Sequence, residues 1–519
     1  LCLGGTERPV VFLYAYGIVI AMWFKHFLLF TYHFLLLLSI VGVACGDLVT
    51  LKSGEVVEGE IAYEGDDVVV TLPGGGAIVF KPKDVERVES AISPLIIFQK
   101  KLSMFQDDAD QCVTLAKWAL RKNMSNEYVL ALRMALKVQQ GHAEATHLLA
   151  DFQYRRQRLP INYVASDKLL RELGGDFTIE RTAHFRVAYN GDYLYAKTSA
   201  DRMEDVYRQF IKFFNLRKFH PVPLSDRLEV VLFNNKVTFS AYAKRQSSGF
   251  SLKAIKNLGG YYSPDINRSH FYDISNTEQH RHTVMQQLSN INKLKENIEE
   301  ISRASASSRF KLTGGESGHD NGTLSSIPRD EAMLVLKSSL KKMVLHYDKI
   351  VKGANEMNIA LCVHELTHHL AFACGIQNNQ VHNPKWITEG LATYFESPIY
   401  GNWFGPGEVH AEKLKLFITT DQSYMFVTMD ELIGDDEMFD LAHDRSSDGY
   451  AAAWSLFYFL TEKHHEALFD YMYDLSLKVG TGEYRRFSRL EDFEKYFGKI
   501  ETLNKQWRNY MTYLASQTR

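Results

Sequence analysis

The stretch CVHELTHHLAFACG, Cys362 to Gly375, sets three histidines and one glutamate inside six residues of an apolar run. On a helix, His364 and His368 are separated by about 40° around the axis and about 6 Å along it, so both imidazoles can face one metal ion. Glu365, beside the first of them, then lies over a metal-bound water rather than on the metal itself. In a chain with 19 histidines the pattern H-E-x-x-H also arises by accident, so its surroundings decide. "NIALCV" before it and "LAFACG" after it make the helix apolar on several sides. Unpaired histidines and a glutamate buried there are costly, and a bound metal removes that cost.

Gly375 supplies a stop for this helix, and Asn383-Pro384 supplies the start of a second, KWITEGLATYFES (Lys385 to Ser397). In the second helix Glu389 falls between Trp386 and Ile387 on one side and Leu391, Ala392 and Phe395 on the other. A carboxylate among apolar neighbours needs a partner, and a tetrahedral zinc with two histidines needs a third protein ligand and an open position for water. His364, His368 and Glu389 are therefore the expected ligands of a Zn2+ ion. The alternative, two packed core helices, leaves two acids and two histidines buried without a metal.

H-E-L-T-H (His364 to His368), followed about twenty residues later by W-I-T-E-G-L-A-T-Y-F-E (Trp386 to Glu396), resembles the zinc site of gluzincin metallopeptidases, in which the glutamate of an E-G-x-A-type helix completes the metal shell. The order of HFRVAY, RLEVVLF, GGYYSPDINRSHFYD, the two motif helices and DGYAAAWSLFYFL (Asp448 to Leu460) resembles more closely a largely uncharacterised bacterial family of secreted metallopeptidases with a peptidase-MA-like domain. The resemblance covers about residues 175 to 515, with 274 to 330 as a departure. The metzincin pattern fails, because Ala371 and Cys374 occupy its glycine and third-histidine positions.

The resemblance implies an α+β, zincin-like domain with Glu365 as general base, taking a proton from the zinc-bound water and passing it to the leaving amine. It also implies a second electrophile for the oxyanion, for which Tyr450 is the candidate; the plainer reading is an aromatic packed at the start of its helix. His443 and His410 are weaker candidates, each otherwise a surface histidine. Glu396, seven residues after Glu389, returns to nearly the same helix face and is expected to orient a ligand histidine. Thr393 stands where some gluzincins carry an aspartate for that job. His369 points about 100° away from His368 and is expected to be packed rather than ligating. The hairpin Gly259 to Asp273 either offers an edge strand to an extended peptide, as in relatives, or is purely structural.

A chain of 519 residues exceeds one ordinary core, so about two to four domains are expected. A net charge of -3 gives no basic field, and nucleic acid is not the expected partner. From Met22, the expected start, a basic beginning at Lys25 and His26, an apolar stretch through Val43 and small residues before Asp47 have the layout of a secretory signal. Cleavage near Ala44 to Gly46 places the protein outside the cytoplasm, secreted or in the cell envelope; without cleavage the segment is a membrane anchor. Gly42 argues against lipidation at Cys45. Thus residues 1–46 are extension and signal.

Residues 47–90 alternate β-rich runs with turn signals, predicting a small SH3-like β-barrel that acts as an interaction or anchoring module. Residues 93–158 turn to helical periodicity, predicting two or three helices packed as tetratricopeptide-like hairpins. The peptidase-like domain is expected over 165–515. Within the insertion 274–330, Val284 to Ile301 reads as an amphipathic helix and Ser302 to Asp330 as disordered, able to fold over the cleft as a lid. A second helical run, Met333 to Ile350, leads back toward the core. Cys112, Cys362 and Cys374 are too few and too well separated for a disulfide framework, and Cys362 and Cys374 read as small buried apolar residues.

The function expected is zinc-dependent peptide hydrolysis by a secreted or membrane-attached metallopeptidase acting on a peptide or protein substrate. The competing reading is a non-catalytic scaffold protein of the cell envelope, braced by zinc and closed by a fourth protein ligand. His369, His382 and His410 are the nominal fourth ligands.

Overall fold

The computed structural model describes residues 47–52, 56–64, 67–71, 77–89, 94–217, 219–246, 258–310, 326–378, 383–397, 402–403, 405–421, 427–440, 443–478 and 484–518. The expected signal lies outside them. Among the described residues no helix is long and apolar enough to cross a membrane. The chain divides into two compact units, residues 1–149 and 150–519.

The first unit opens with β1 (Asp47–Leu51), β2 (Val56–Glu64), β3 (Asp67–Thr71), β4 (Ala77–Phe80) and β5 (Val85–Glu89), an antiparallel sheet of order β4-β3-β2-β1-β5. Val49, Leu51, Val68 and Val70 form its core. The expected barrel is not closed: among the described residues β4 and β5 remain the two edges of the sheet. A 3-10 turn, Pro82–Asp84, carries the chain from one edge to the other, and Ile78 and Val79 of β4 are left exposed. Four helices follow, α1 (Pro94–Met104), α2 (Ala109–Arg121), α3 (Ser125–Val138) and α4 (Ala143–Arg155), the last crossing the boundary between the units. One more helix forms than the periodicity predicted, because Leu95, Phe98 and Leu102 also recur at three and four.

In the second unit, α5 (Tyr163–Leu173), β6 (Thr178–Arg181), β7 (Phe185–Tyr189), α6 (Tyr193–Asn215), β8 (Leu228–Phe233), α7 (Lys236–Gln246), β9 (Gly260–Ser263) and β10 (Arg268–Tyr272) build a mixed sheet of order β6-β7-β8-β10-β9. The run Phe177 to Asn190 alternates like a strand yet forms two antiparallel strands, because the chain turns at Thr182, where the Thr182 N–H donates to the Phe185 carbonyl. Strand alternation sends Phe185, Val187, Leu228, Val230 and Leu232 to one face, beneath α6 and the motif helix. Ala188, Val231 and Phe233 go to the other, with Leu169 of α5 and Phe239 and Tyr242 of α7. Ion pairs cross three strands, Arg186 to Glu229 at 2.9 Å and Glu229 to Arg268 at 2.7 Å, and Arg268 meets Glu172 at 2.7 Å. These pairs tie β10 to its neighbours in a fixed register.

Next come α8 (Glu278–Arg303), β11 (Arg309–Phe310), β12 (Ile327–Pro328) and α9 (Arg329–Ala373). The helical run Met333 to Ile350 and the motif helix are joined in one helix of 45 residues. Its early turns bury Ala332, Met333 and Leu336 against Leu294, Ile298 and Ile301 of α8. Of the stretch expected to be disordered, β11 and β12 pair antiparallel, while residues 311–325, and with them the lid, lie outside the described residues.

The helix stops where the sequence predicts. Gly375 adopts φ +71°, which a side chain disfavours, and the Ile376 N–H bonds the Ala371 carbonyl at 2.8 Å. Then follow α10 (Lys385–Phe395), α11 (Ala411–Asp421), α12 (Met429–Gly434), α13 (Ser446–Lys463), α14 (His465–Leu477), α15 (Arg486–Phe497) and α16 (Ile500–Gln517). Every residue of α10 from Trp386 to Phe395 is buried. It packs so closely on α13 that a Cβ at Gly390 would meet the Ala453 carbonyl oxygen at 2.8 Å. Mixed α+β architecture is therefore the fold, with the second unit's core between its sheet and these helices.

Candidate metal centre

α9 presents His364 and His368 on one face toward α10, which presents Glu389. His364 Nε2 lies 3.2 Å from His368 Nε2 and 3.2 Å from Glu389 Oε2, and His368 Nε2 lies 3.4 Å from the same oxygen. A tetrahedral ion with bonds of about 2.0–2.1 Å sets its ligand atoms about 3.3 Å apart, so the three atoms stand at the corners of one such face. The three expected ligands could hold a metal ion as they stand.

The donor set itself asks for a cation. His364 Nδ1 is 2.6 Å from Glu396 Oε2, a bond the ring makes by donating, which leaves the Nε2 lone pair facing the Glu389 carboxylate. Burial alone would lower the His364 imidazole, but Glu396 and Glu389 outweigh it and hold the ring well above its usual value. Burial raises Glu389, and His368 and His364 more than offset it, so the carboxylate falls well below its usual range. The surrounding cavity of about 790 Å³ is lined by Glu365, Glu389, Glu396 and Asp440 against Lys385 and Lys413, a wall with more acids than bases, which suits a cation.

The other predicted residues separate clearly. Glu365 is buried at the cavity; burial raises its carboxyl, the two histidines oppose, and Glu389 adds to the rise. Tyr450 lines the same cavity, its ring centroid 6.4 Å from that of His364. Burial and then the Glu389, Glu365 and Glu396 carboxylates push its phenol well above the usual value, so it stays a donor. Glu396 takes the orienting place expected of it, and its second oxygen lies 3.2 Å from His410 Nε2. His410, read as a surface histidine or an electrophile, thus belongs to the support of His364. Thr393 is fully buried at the cavity wall. His443 is exposed, and its Nδ1 accepts from the Arg445 N–H.

None of the nominal fourth ligands closes the shell among the described residues. His369 faces away and meets Ser269 Oγ at 3.0 Å, His410 is held by Glu396, and His382 lies outside the described residues. Two residues went unread in the sequence: Lys385, whose Nζ is 3.6 Å from Glu389 Oε1, and Lys413, whose Nζ lies 5.5 Å from the Tyr450 ring centroid. Only the spacing of four between Lys385 and Glu389 signalled the first. Cys362 and Cys374 are free and buried, as expected, and so is Cys112.

Residues 358–480 match the family described as "Protein of unknown function (DUF1570)". The matched span holds His364, Glu365, His368, Glu389, Glu396, His410 and Tyr450. No curated protein matches the chain.

Proposed function

We propose that the chain is a zinc-dependent peptidase of gluzincin type. One observation carries the reading: three ligand atoms spaced 3.2, 3.2 and 3.4 Å apart open on a cavity of about 790 Å³ into which Glu365 also faces. Two imidazoles and a carboxylate suit zinc among divalent ions. An ion held there supplies Lewis acidity and lowers the pKa of a coordinated water. Glu365 accepts a proton at its carboxylate and returns it to the leaving amine. Tyr450 donates its phenol hydrogen toward the substrate oxygen as negative charge gathers there. His364 is kept in one tautomer by Glu396.

The scaffold reading needs a closed shell, and the open side of the donor triangle favours catalysis over it. The test is chelation and restoration. An unfolded protein substrate should be cleaved by the zinc-loaded chain, not by the chelated one, and again after Zn2+ is returned. Zinc binding at one equivalent with no cleavage across a broad peptide library would support the brace instead. Secretion, with the first unit binding a partner in the cell envelope, remains part of this proposal.

A further inference from the structure

Glu365, His369 and Phe372 recur at four and three along α9, so they share a face about 100° round from that of His364 and His368. This second face meets the β9–β10 hairpin. His369 is fully buried; its ring stacks on Tyr262 of β9, with centroids 4.9 Å apart, and its Nδ1 lies 3.0 Å from Ser269 Oγ of β10. Ser269, fully buried too, also reaches the Glu365 carbonyl at 3.5 Å. Phe372 stacks on the other part of the same tyrosine at 5.5 Å. Tyr262 and Glu365 line the same cavity, and the Tyr262 backbone is close enough to the Glu365 carboxylate to oppose the rise that burial causes. Close approach is built in, since a Cβ at Gly260 would lie 2.9 Å from the His270 carbonyl oxygen and 3.2 Å from Leu361.

We propose that His369 is a positioning residue: by gripping Ser269 and Tyr262 together, it fixes the hairpin against the motif helix so that the Tyr262 N–H holds the Glu365 carboxylate in one orientation. A phenylalanine would fill the same volume and stack equally well. What it lacks is the bond to Ser269, and two fully buried polar side chains joined to each other specify one placement of hairpin on helix where an apolar contact allows several. A general base gains from such fixing, because its carboxylate must point at the proton it takes. That catalytic consequence rests on the function proposed above; the placement of the hairpin does not.

The experiment uses the full chain loaded with zinc. Hydrogen exchange at the Tyr262 amide is compared in wild type, His369→Phe, His369→Asn and Ser269→Ala, and zinc affinity is measured by competition with a chromogenic chelator. Exchange at Tyr262 should quicken by about tenfold or more in His369→Phe and Ser269→Ala, with zinc affinity within about twofold of wild type. His369→Asn, whose amide reaches where Nδ1 lies, should restore protection. In peptide hydrolysis the same two variants should lower kcat about tenfold with KM unchanged, and the asparagine variant should recover it. Unchanged Tyr262 exchange in both variants would overturn the proposal, as would loss of zinc in step with loss of protection. Should wild type cleave nothing, the peptidase reading fails while the exchange data still decide the role of His369.

Discussion

At His364 the two ring nitrogens face different acids, Nδ1 toward Glu396 at 2.6 Å and Nε2 toward Glu389 at 3.2 Å. Glu396→Ala removes the group that fixes the ring, and zinc affinity should fall about 10–100-fold in chelator competition. An unchanged affinity would remove Glu396 from the site. Tyr450→Phe deletes one hydrogen-bond donor and leaves the ring; kcat should drop about 100-fold with zinc content unaltered. The ligands were legible in sequence because acids and histidines at spacings of four and seven stood among residues that must be buried. Lys385 and Lys413 were not, since a lysine near a helix start looks the same whether it faces solvent or a cavity, and only the packing of α10, α11 and α13 brings them to the cavity.

Among the elements, α9 changes from a polar first half to an apolar second half, and nothing between Met333 and Val363 stops the helix. The β9–β10 hairpin was read well, its turn marked by Pro264 and by Asn267, which takes φ 48°. Gly390→Ala should crowd α10 against α13 and destabilise the second unit by about 1–3 kcal/mol in denaturant unfolding. His270 of β10 is fully buried, and burial chiefly, with Arg268, pushes its imidazole from 6.5 to about 3. Below pH 6.5 the unfolded chain binds a proton that the folded chain refuses, so stability is lost as pH falls through that value. Between about pH 6 and pH 4, wild type should lose stability relative to His270→Phe by about 1.4 kcal/mol per pH unit. Parallel curves for the two proteins would show that His270 titrates normally.

For the molecule as a whole, the chain divides into two compact units, and the three candidate metal ligands all lie in the second. Zinc at about 100 times its Kd should therefore stabilise that unit by about 2.7 kcal/mol and leave the unfolding of the first unmoved. Calorimetry with and without chelator reads both; a shift in both transitions would contradict the division. The mixed α+β class was readable from the pattern of strands and helices, whereas the open edge of the first sheet was not, because alternation fixes which face of a strand is buried and says nothing of which strands close on each other. Substrate lies further from the sequence still, since the cavity wall is gathered from β9, α9, α10, α11 and α13. The most direct test of the central claim pairs zinc analysis with peptide hydrolysis for wild type and Glu365→Gln. One zinc per chain in both proteins, with hydrolysis falling at least about 100-fold only in the variant, is the expected result; equal hydrolysis by the two zinc-loaded proteins would contradict it.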